Sequence, residues 1–338
     1  MLKIAIYTIA KNETSNVVSW HNSNRDADYH LVCDTGSTDN TVDALRAAGI
    51  TVVPITVDPW RFDVARGCAL NLLPADIDIC IWQDLDEQLL PDWRENLVRH
   101  WTPETTTAFH RYKNNDNPWQ WHSKIHARHG CTWTGIVHET LSWHIPQHTI
   151  WLHDVWLREF QDVTKDRSKY LQMLVQKVAE GDRDWKTYYF LANEYQSTDF
   201  NKSVQYREQS FDLCMDGPIA KSYIARTLAV QYGTWGQDAL AERWFQTSIS
   251  ISNERESWYH RAMFYKRREQ WDFCLLAVIR CTEVTAQRDG YTFDPDAWSP
   301  KLYECGIEAA TATGMLHHIP RFQTEIDKLF IESRGVAA

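Results

Sequence analysis

The chain has 338 residues, 43% of them hydrophobic and 24% charged, the make-up of a globular protein with room for about two domains. Its 45 Asp and Glu outnumber 35 Lys and Arg, and the net charge of −10 argues against coating nucleic acid, where phosphate binding rests on cationic side chains. No apolar run approaches the roughly 20 residues needed to cross a bilayer, and Met1–Ile9 leads straight into polar Lys11-Asn12-Glu13-Thr14 without a signal-peptide cleavage pattern, so a cytoplasmic protein is expected.

Up to about residue 160, short strands alternate with short helices. Leu2–Ile9 reads as a buried strand and Asn12–Trp20 as a helix opening. Tyr29–Cys33 is a second strand, and Thr38–Ala48 a helix stopped by Gly49. Thr51–Val57 is a third strand, Phe62–Leu73 a helix, and Ile77–Trp82 a fourth, strongly apolar strand. This alternation predicts an α/β domain with a mostly parallel sheet, whose ligands bind beyond the carboxyl ends of the strands. Glu159–Tyr170 lacks Gly and Pro and reads as helix.

From about residue 165 the chain reads as helix after helix. Leu191-Ala-x-x-Tyr195, Leu228-Ala-x-x-Tyr232 and Ala262-x-x-Tyr265 recur, each followed by a second helix: Val204–Leu213, Ala239–Ile249 and Phe273–Val284. A fourth pair is expected from Trp298 to Phe330. The spacing resembles tetratricopeptide helix pairs in degenerate form, with an irregular bundle as the plainer alternative.

The eight cysteines are scattered and form no C-x-x-C pair, so buried free thiols are expected rather than a zinc ribbon. Tryptophan is abundant at 17, but indoles both stack on sugars and fill helical cores, so the count alone assigns nothing.

Chemistry is expected where the strands end. Asp34 stands at the end of the second strand, where a carboxylate can accept hydrogen bonds from a base or ribose; Gly36 permits a tight turn and Ser37, Thr38 or Asp39 caps the next helix. Asp84-Leu85-Asp86-Glu87 follows the fourth strand. Two carboxylates at i and i+2 after a buried strand call for a cation, and a hard divalent ion shared with substrate phosphates supplies it. As a plain alternative, the first motif is a turn with a cap and the second a solvated loop.

In order, Asn12-Glu13, Asp34-Thr35-Gly36-Ser37-Thr38-Asp39-Asn40-Thr41, Phe62-Asp63-Val64-Ala65-Arg66, Asp84-Leu85-Asp86-Glu87 and Gly135-Ile136-Val137-His138-Glu139 resemble family 2 glycosyltransferases of the GT-A (Rossmann-like) fold. The likeness is greatest to the branch of the sublancin-type S-glycosyltransferase, which also carries a helical-repeat extension. It covers about the first 165 residues closely and the rest architecturally. It implies a GT-A catalytic domain over 1–162 and an all-α tetratricopeptide-like domain over 163–338.

The resemblance also implies roles. Asp34 and Arg66 would hold the nucleobase, over a floor of Thr8, Ala10 and Glu13. Asp84, with Leu85, would face the ribose and metal-bound water. Asp86 would bind Mn²⁺ or Mg²⁺, with Asp84 beside it and His153 as a further ligand. The family more often has Asn where this chain has Gly67. The donor would be a UDP-hexose such as UDP-glucose or UDP-galactose, and the acceptor a glycan, peptide or small molecule. The helical region would orient the acceptor or mediate self-association into a homo-oligomer. An inverting transfer needs a base for the acceptor's proton; Glu139 is the candidate, with His138 either close behind it or orienting the donor phosphates.

Other residues are read more plainly. His122, His126 and His129 suggest a strand and polar surface near an acceptor site rather than zinc ligands. Trp119, Trp121 and Trp133 could line an acceptor groove, with at least one of them in packing. A sugar nucleotidyltransferase would need a glycine-rich loop after the first strand, where this chain has Ala10-Lys11-Asn12-Glu13. A tetratricopeptide adaptor with a decayed catalytic half would have no reason to keep Asp34, Asp84, Asp86 and His138-Glu139 together.

Overall fold

The computed structural model describes residues 2–114, 119–160, 169–287 and 292–335. The chain divides into two compact units, Met1–Lys177 and Val178–Ala338. The division falls inside a helix, later in the chain than the 162/163 boundary read from the sequence.

The first unit is built on an eight-stranded sheet. Strands β1 (Ile4–Ala10), β2 (Tyr29–Asp34), β3 (Thr51–Pro54) and β4 (Ile79–Trp82) run parallel in the order β3-β2-β1-β4. Strand β5 (Glu87–Leu89) is short, whereas β6 (Thr107–Asn114), β7 (Gln120–Ala127) and β10 (Thr149–Glu159) are long. The order continues β7-β6-β10-β5. Here β7 is antiparallel to both its neighbours, β10 is parallel to β6, and β5 is antiparallel to β10. A separate ribbon pairs β8 (Cys131–Thr134) with β9 (Thr140–Trp143). The sheet is thus parallel in its first half and mixed in its second.

Alternation along β1 shows how both faces are covered. Ile4 and Ile6 pack with Trp20, Leu45, Trp93 and Leu97, on helices α1 (Val17–Asn24), α2 (Thr41–Ala47) and α4 (Trp93–His100). Ala5 and Tyr7 pack with Ala69 and Leu70 of α3 (Phe62–Asn71) and with Trp133 of the ribbon. Helix α1 begins at Val17 rather than Asn12, because Asn12 adopts a left-handed φ of 56° that no helix accommodates. The helix expected over Glu159–Tyr170 falls largely on 161–168, outside the described residues; Glu159 itself closes β10, and Tyr170 opens α5 (Tyr170–Ala179).

The second unit is helical. Its α-helices are α6 (Trp185–Tyr195), α7 (Phe200–Leu213), α8 (Pro218–Thr234), α9 (Asp238–Ile251), α10 (Arg255–Lys266), α11 (Trp271–Glu283), α12 (Pro300–Thr313) and α13 (Ile319–Gly335). They pack as four successive pairs, α6/α7 through α12/α13. Leu228, Phe245, Ala262, Val278, Leu302 and Phe322 form one continuous core across α8 to α13, joined by Val204 of α7. Gly306 permits the closest approach, since a Cβ there would stand 2.7 Å from the Phe322 ring and 2.9 Å from Val278. No described helix is long and apolar enough to cross a membrane. All eight cysteines are free, and six are buried.

Three histidines on β6 and β7 are held neutral by burial, which pushes His110 down to about 3 and His122 and His126 to about 4. The unfolded chain binds these protons near pH 6.5, so native stability should fall as pH drops from about 6.5 towards 4, each histidine contributing up to about 1.4 kcal/mol per pH unit. His122 stacks on Tyr112 with ring centres 3.9 Å apart, a contact that phenylalanine can keep. Denaturant unfolding at pH 7 and pH 5 should therefore show a shallower loss for His122→Phe than for the parent chain.

Candidate functional site

Ala10 and Asp34 pair at the carboxyl ends of β1 and β2, while β4 ends at Trp82, which pairs with Tyr7 earlier in β1. The Asp34 carboxylate accepts hydrogen bonds from the backbone N–H groups of Gly36 and Ser37, both at 3.1 Å, so it closes its own turn. This turn locks onto the loop after β1. The Asn12 side chain accepts from Thr38 N at 2.7 Å, and Glu13 N donates to the Thr41 hydroxyl at 2.7 Å. The Glu13 carboxylate accepts from Asn16 at 2.8 Å. Thr8 is buried, its hydroxyl turned to the Ile9 carbonyl, and Ala10 is buried at the strand's end.

The acidic turn after β4 rests on a buried ion pair. The Lys124 ammonium of β7 meets the Glu87 carboxylate and lies 3.8 Å from the centre of the Trp82 ring. The same carboxylate accepts from Asp84 N at 2.9 Å, while Gln83 donates to the Glu87 carbonyl at 2.6 Å. Burial pushes the Glu87 carboxyl up to about 7; Lys124 pulls it back and Asp84 adds to the rise. Leu85 is buried in the core. Asp86 is also buried, and its carbonyl accepts from Phe160 N at 2.7 Å.

Arg66 joins this turn to the segment after β8. Its guanidinium donates to Asp84 at 3.0 Å and to Glu139, with only 7% of the side chain exposed. The ring of Trp82 lies 4.7 Å from the guanidinium carbon and that of Trp133 lies 5.7 Å away. Burial opposes the charge, but the Asp84 and Glu139 carboxylates more than offset it and hold Arg66 firmly protonated. Gly135 and His138 both have positive φ, 102° and 50°, and their turn brings Glu139 back to Arg66. His138 stacks near Tyr170 with ring centres 6.2 Å apart.

Of the residues singled out in the sequence, Arg66, Asp84 and Glu139 form one ion-paired cluster, with Asp86 in the same turn. His153 is not brought to it. Leu152 and Trp156 pair with successive residues of β6, so His153 lies in a bulge four ladder steps, or roughly 13 Å, short of Glu159, the residue that pairs with Glu87. Its ring packs against Trp121 instead, 5.1 Å between centres. His126 is not on a polar surface either: it is buried, sharing a 2.9 Å hydrogen bond with the Tyr7 hydroxyl. Trp133 is a packing residue whose indole donates to the same hydroxyl at 3.0 Å. Among the described residues, no three His, Cys, Asp or Glu side chains form a metal-holding group.

Sequence reasoning missed Lys124 and Trp82. A single lysine on a strand gives no signal of its own, because its partner lies 37 positions earlier in the chain. The only hint was Glu87 itself, a third carboxylate too close to Asp84 and Asp86 to be buried without a cation.

Residues 6–159 match the family model described as Glycosyl transferase family 2. The match spans the GT-A-like sheet from β1 to β10, and the all-helical region lies outside it. The chain matches no curated protein. Similar solved structures include MamA, 14% identical over 53% of this chain and 99% of that one, with a TM-score of 0.38. BtubC from P. vanneervenii is 13% identical over 50% and 73%, with a TM-score of 0.40. Glucosyl-3-phosphoglycerate synthase from Mycobacterium tuberculosis, in complex with Mn²⁺, uridine diphosphate and glucosyl-3-phosphoglycerate, is 23% identical over 33% and 44%, with a TM-score of 0.28.

The ion pair under the acidic turn can be tested directly. Lys124→Met leaves the Glu87 carboxyl buried without its cation and should destabilise the domain by about 3–5 kcal/mol. The loss should grow as pH rises, because the lone buried carboxyl stays protonated in the fold and unfolding releases its proton. Adding Glu87→Gln should recover much of the loss in urea unfolding.

Proposed function

We propose that the chain is a metal-dependent glycosyltransferase that moves a hexose from a nucleotide-diphospho-sugar, a UDP-hexose, to an acceptor with inversion. Catalysis is assigned to residues 1–162, and 163–338 is read as a tetratricopeptide-like region that orients the acceptor, in the manner of the sublancin-type branch. The observation that carries the reading is the gathering of carboxylates at the acidic turn. Asp84 and Glu139 meet on Arg66, Glu87 is taken up by Lys124 beneath them, and Asp86 stands in the same turn. Carboxylates so placed meet a diphosphate through a divalent cation rather than directly.

The residues suit that cation. Two hard carboxylate donors, from Asp86 and Asp84, leave further positions for water and phosphate oxygens, as Mg²⁺ and Mn²⁺ sites commonly do. When bound, the ion supplies Lewis-acid stabilisation of the leaving diphosphate. Asp34 and the backbone around Thr8, Ala10 and Glu13 flank the place of the nucleobase and ribose. Arg66 keeps Asp84 and Glu139 at a fixed separation. Glu139 gives one oxygen, Oε1, to Arg66, and Oε2 is the oxygen assigned to take the acceptor's proton. His138, in the strained turn beside it, orients the donor phosphates.

Calorimetric titration with UDP should show binding that requires Mn²⁺, and Asp86→Ala should remove this dependence with a loss of about tenfold or more in affinity. Equal UDP affinity in EDTA and in Mn²⁺ would overturn the metal-dependent reading.

Glu139→Gln keeps an acceptor for the Arg66 guanidinium while removing the base. UDP-sugar affinity should therefore persist while transfer slows by about a hundredfold or more. An unchanged transfer rate would move the role to His138.

A further inference from the structure

The second half of the sheet has a face that takes no part in the site above. Register sets Trp151 beside Phe109, and both Trp156 and Trp121 beside Arg111. Their neighbours along the strands, Ala108, Tyr112, Leu152 and Leu157, point the other way into the core. The indoles hold one another edge to face: Trp119 and Trp121 are 5.4 Å apart at 88°, and Trp121 and Trp151 are 4.9 Å apart at 89°. Arg111 is wedged between Trp119 and Trp156, at 4.7 and 4.8 Å. These rings are fixed in place rather than free to collapse, yet Trp151 remains 52% exposed.

Charge distinguishes the patch further. Lys113 pairs in register with Arg158 on this same face; both are exposed, and they line a cavity of about 340 Å³ with Leu90, Trp156 and Leu157. None of the residues that these ladders place on the face is acidic, although the chain as a whole carries a net charge of −10.

We propose that this face binds a carbohydrate chain bearing carboxylates, a uronic-acid-type oligosaccharide. Its pyranose faces stack on the exposed Trp151 and the half-buried indoles beside it, and its carboxylates meet Lys113 and Arg158. Rigid aromatic faces offer large contact at small entropic loss, and the cations select an anionic chain. A second copy of the chain fits poorly, because a two-fold contact would set these cations against their own kind. The choice of a sugar as the anion rests on the glycosyltransferase reading, in which a glycan is one of the acceptors considered.

The test is calorimetry on the full chain with a short oligogalacturonate, a maltooligosaccharide of equal length and a single-stranded oligonucleotide. The oligogalacturonate should bind, the neutral chain more weakly, and added salt should weaken the acidic one. Trp151→Ala and Arg158→Gln should each lower oligogalacturonate affinity by about tenfold, with UDP binding in Mn²⁺ unchanged. The proposal is overturned by failure of the oligogalacturonate to bind, by equal binding to both variants, or by tighter binding of the oligonucleotide. It is also overturned by a dimer that Trp151→Ala dissociates. A chain that binds UDP but no sugar sinks this proposal alone, whereas failure to bind UDP sinks the donor reading and leaves the sugar titration to stand or fall separately.

Discussion

One buried guanidinium holds the strand-end site of the first unit together. Arg66 leaves α3 and reaches both the turn after β4 and the segment after β8, three stretches of chain that no backbone ladder connects. Its charge is kept by two carboxylates, and its flat faces by Trp82 and Trp133. Removing either carboxylate would leave a buried cation half compensated, and removing the cation would leave carboxylates repelling one another. The position of Asp84 relative to Glu139 is therefore an electrostatic constraint as much as a consequence of the sheet.

A second buried pair works underneath. Lys124 and Glu87 set the acidic turn on the end of β7, and Glu87 holds the backbone of Asp84 while Arg66 holds its side chain. Between them the two pairs commit their positive charges to Glu87, Asp84 and Glu139, in a turn that also carries Asp86. On the far half of the sheet, cations and indoles stand where the ladders place no acid. The helical unit obeys a different rule, in which each pair is stabilised chiefly by its neighbours around a shared core, as in stacked repeats generally.

How far these features were legible differs from element to element. The first four strands declared themselves as apolar runs bounded by turn residues, and the helix pairs by recurrent Leu-Ala-x-x-Tyr spacing. Strands β6 and β10 did not, and β7 showed only as a strand with a polar surface around His122–His129, because their residues are a mixture of aromatics, histidines and lysine whose burial depends on partners elsewhere in the chain. His110, Lys124 and His126 look like surface residues in the sequence and lie in the interior. The position of His153 was hidden for a related reason: a bulge in β10 takes it out of the ladder, and nothing in Ile150-Trp151-Leu152-His153 announces one.

By itself, then, the sequence determined the order of the architecture and the carboxylates at the strand ends. Those follow from local periodicity and from where a parallel sheet must place its loops. The tertiary structure alone decided which charges neutralise which. Arg66 is 73 residues from Glu139, and Lys124 is 37 from Glu87. No local pattern encodes such pairs, because the low polarity that makes a buried charge seek a partner exists only after the sheet has closed around it.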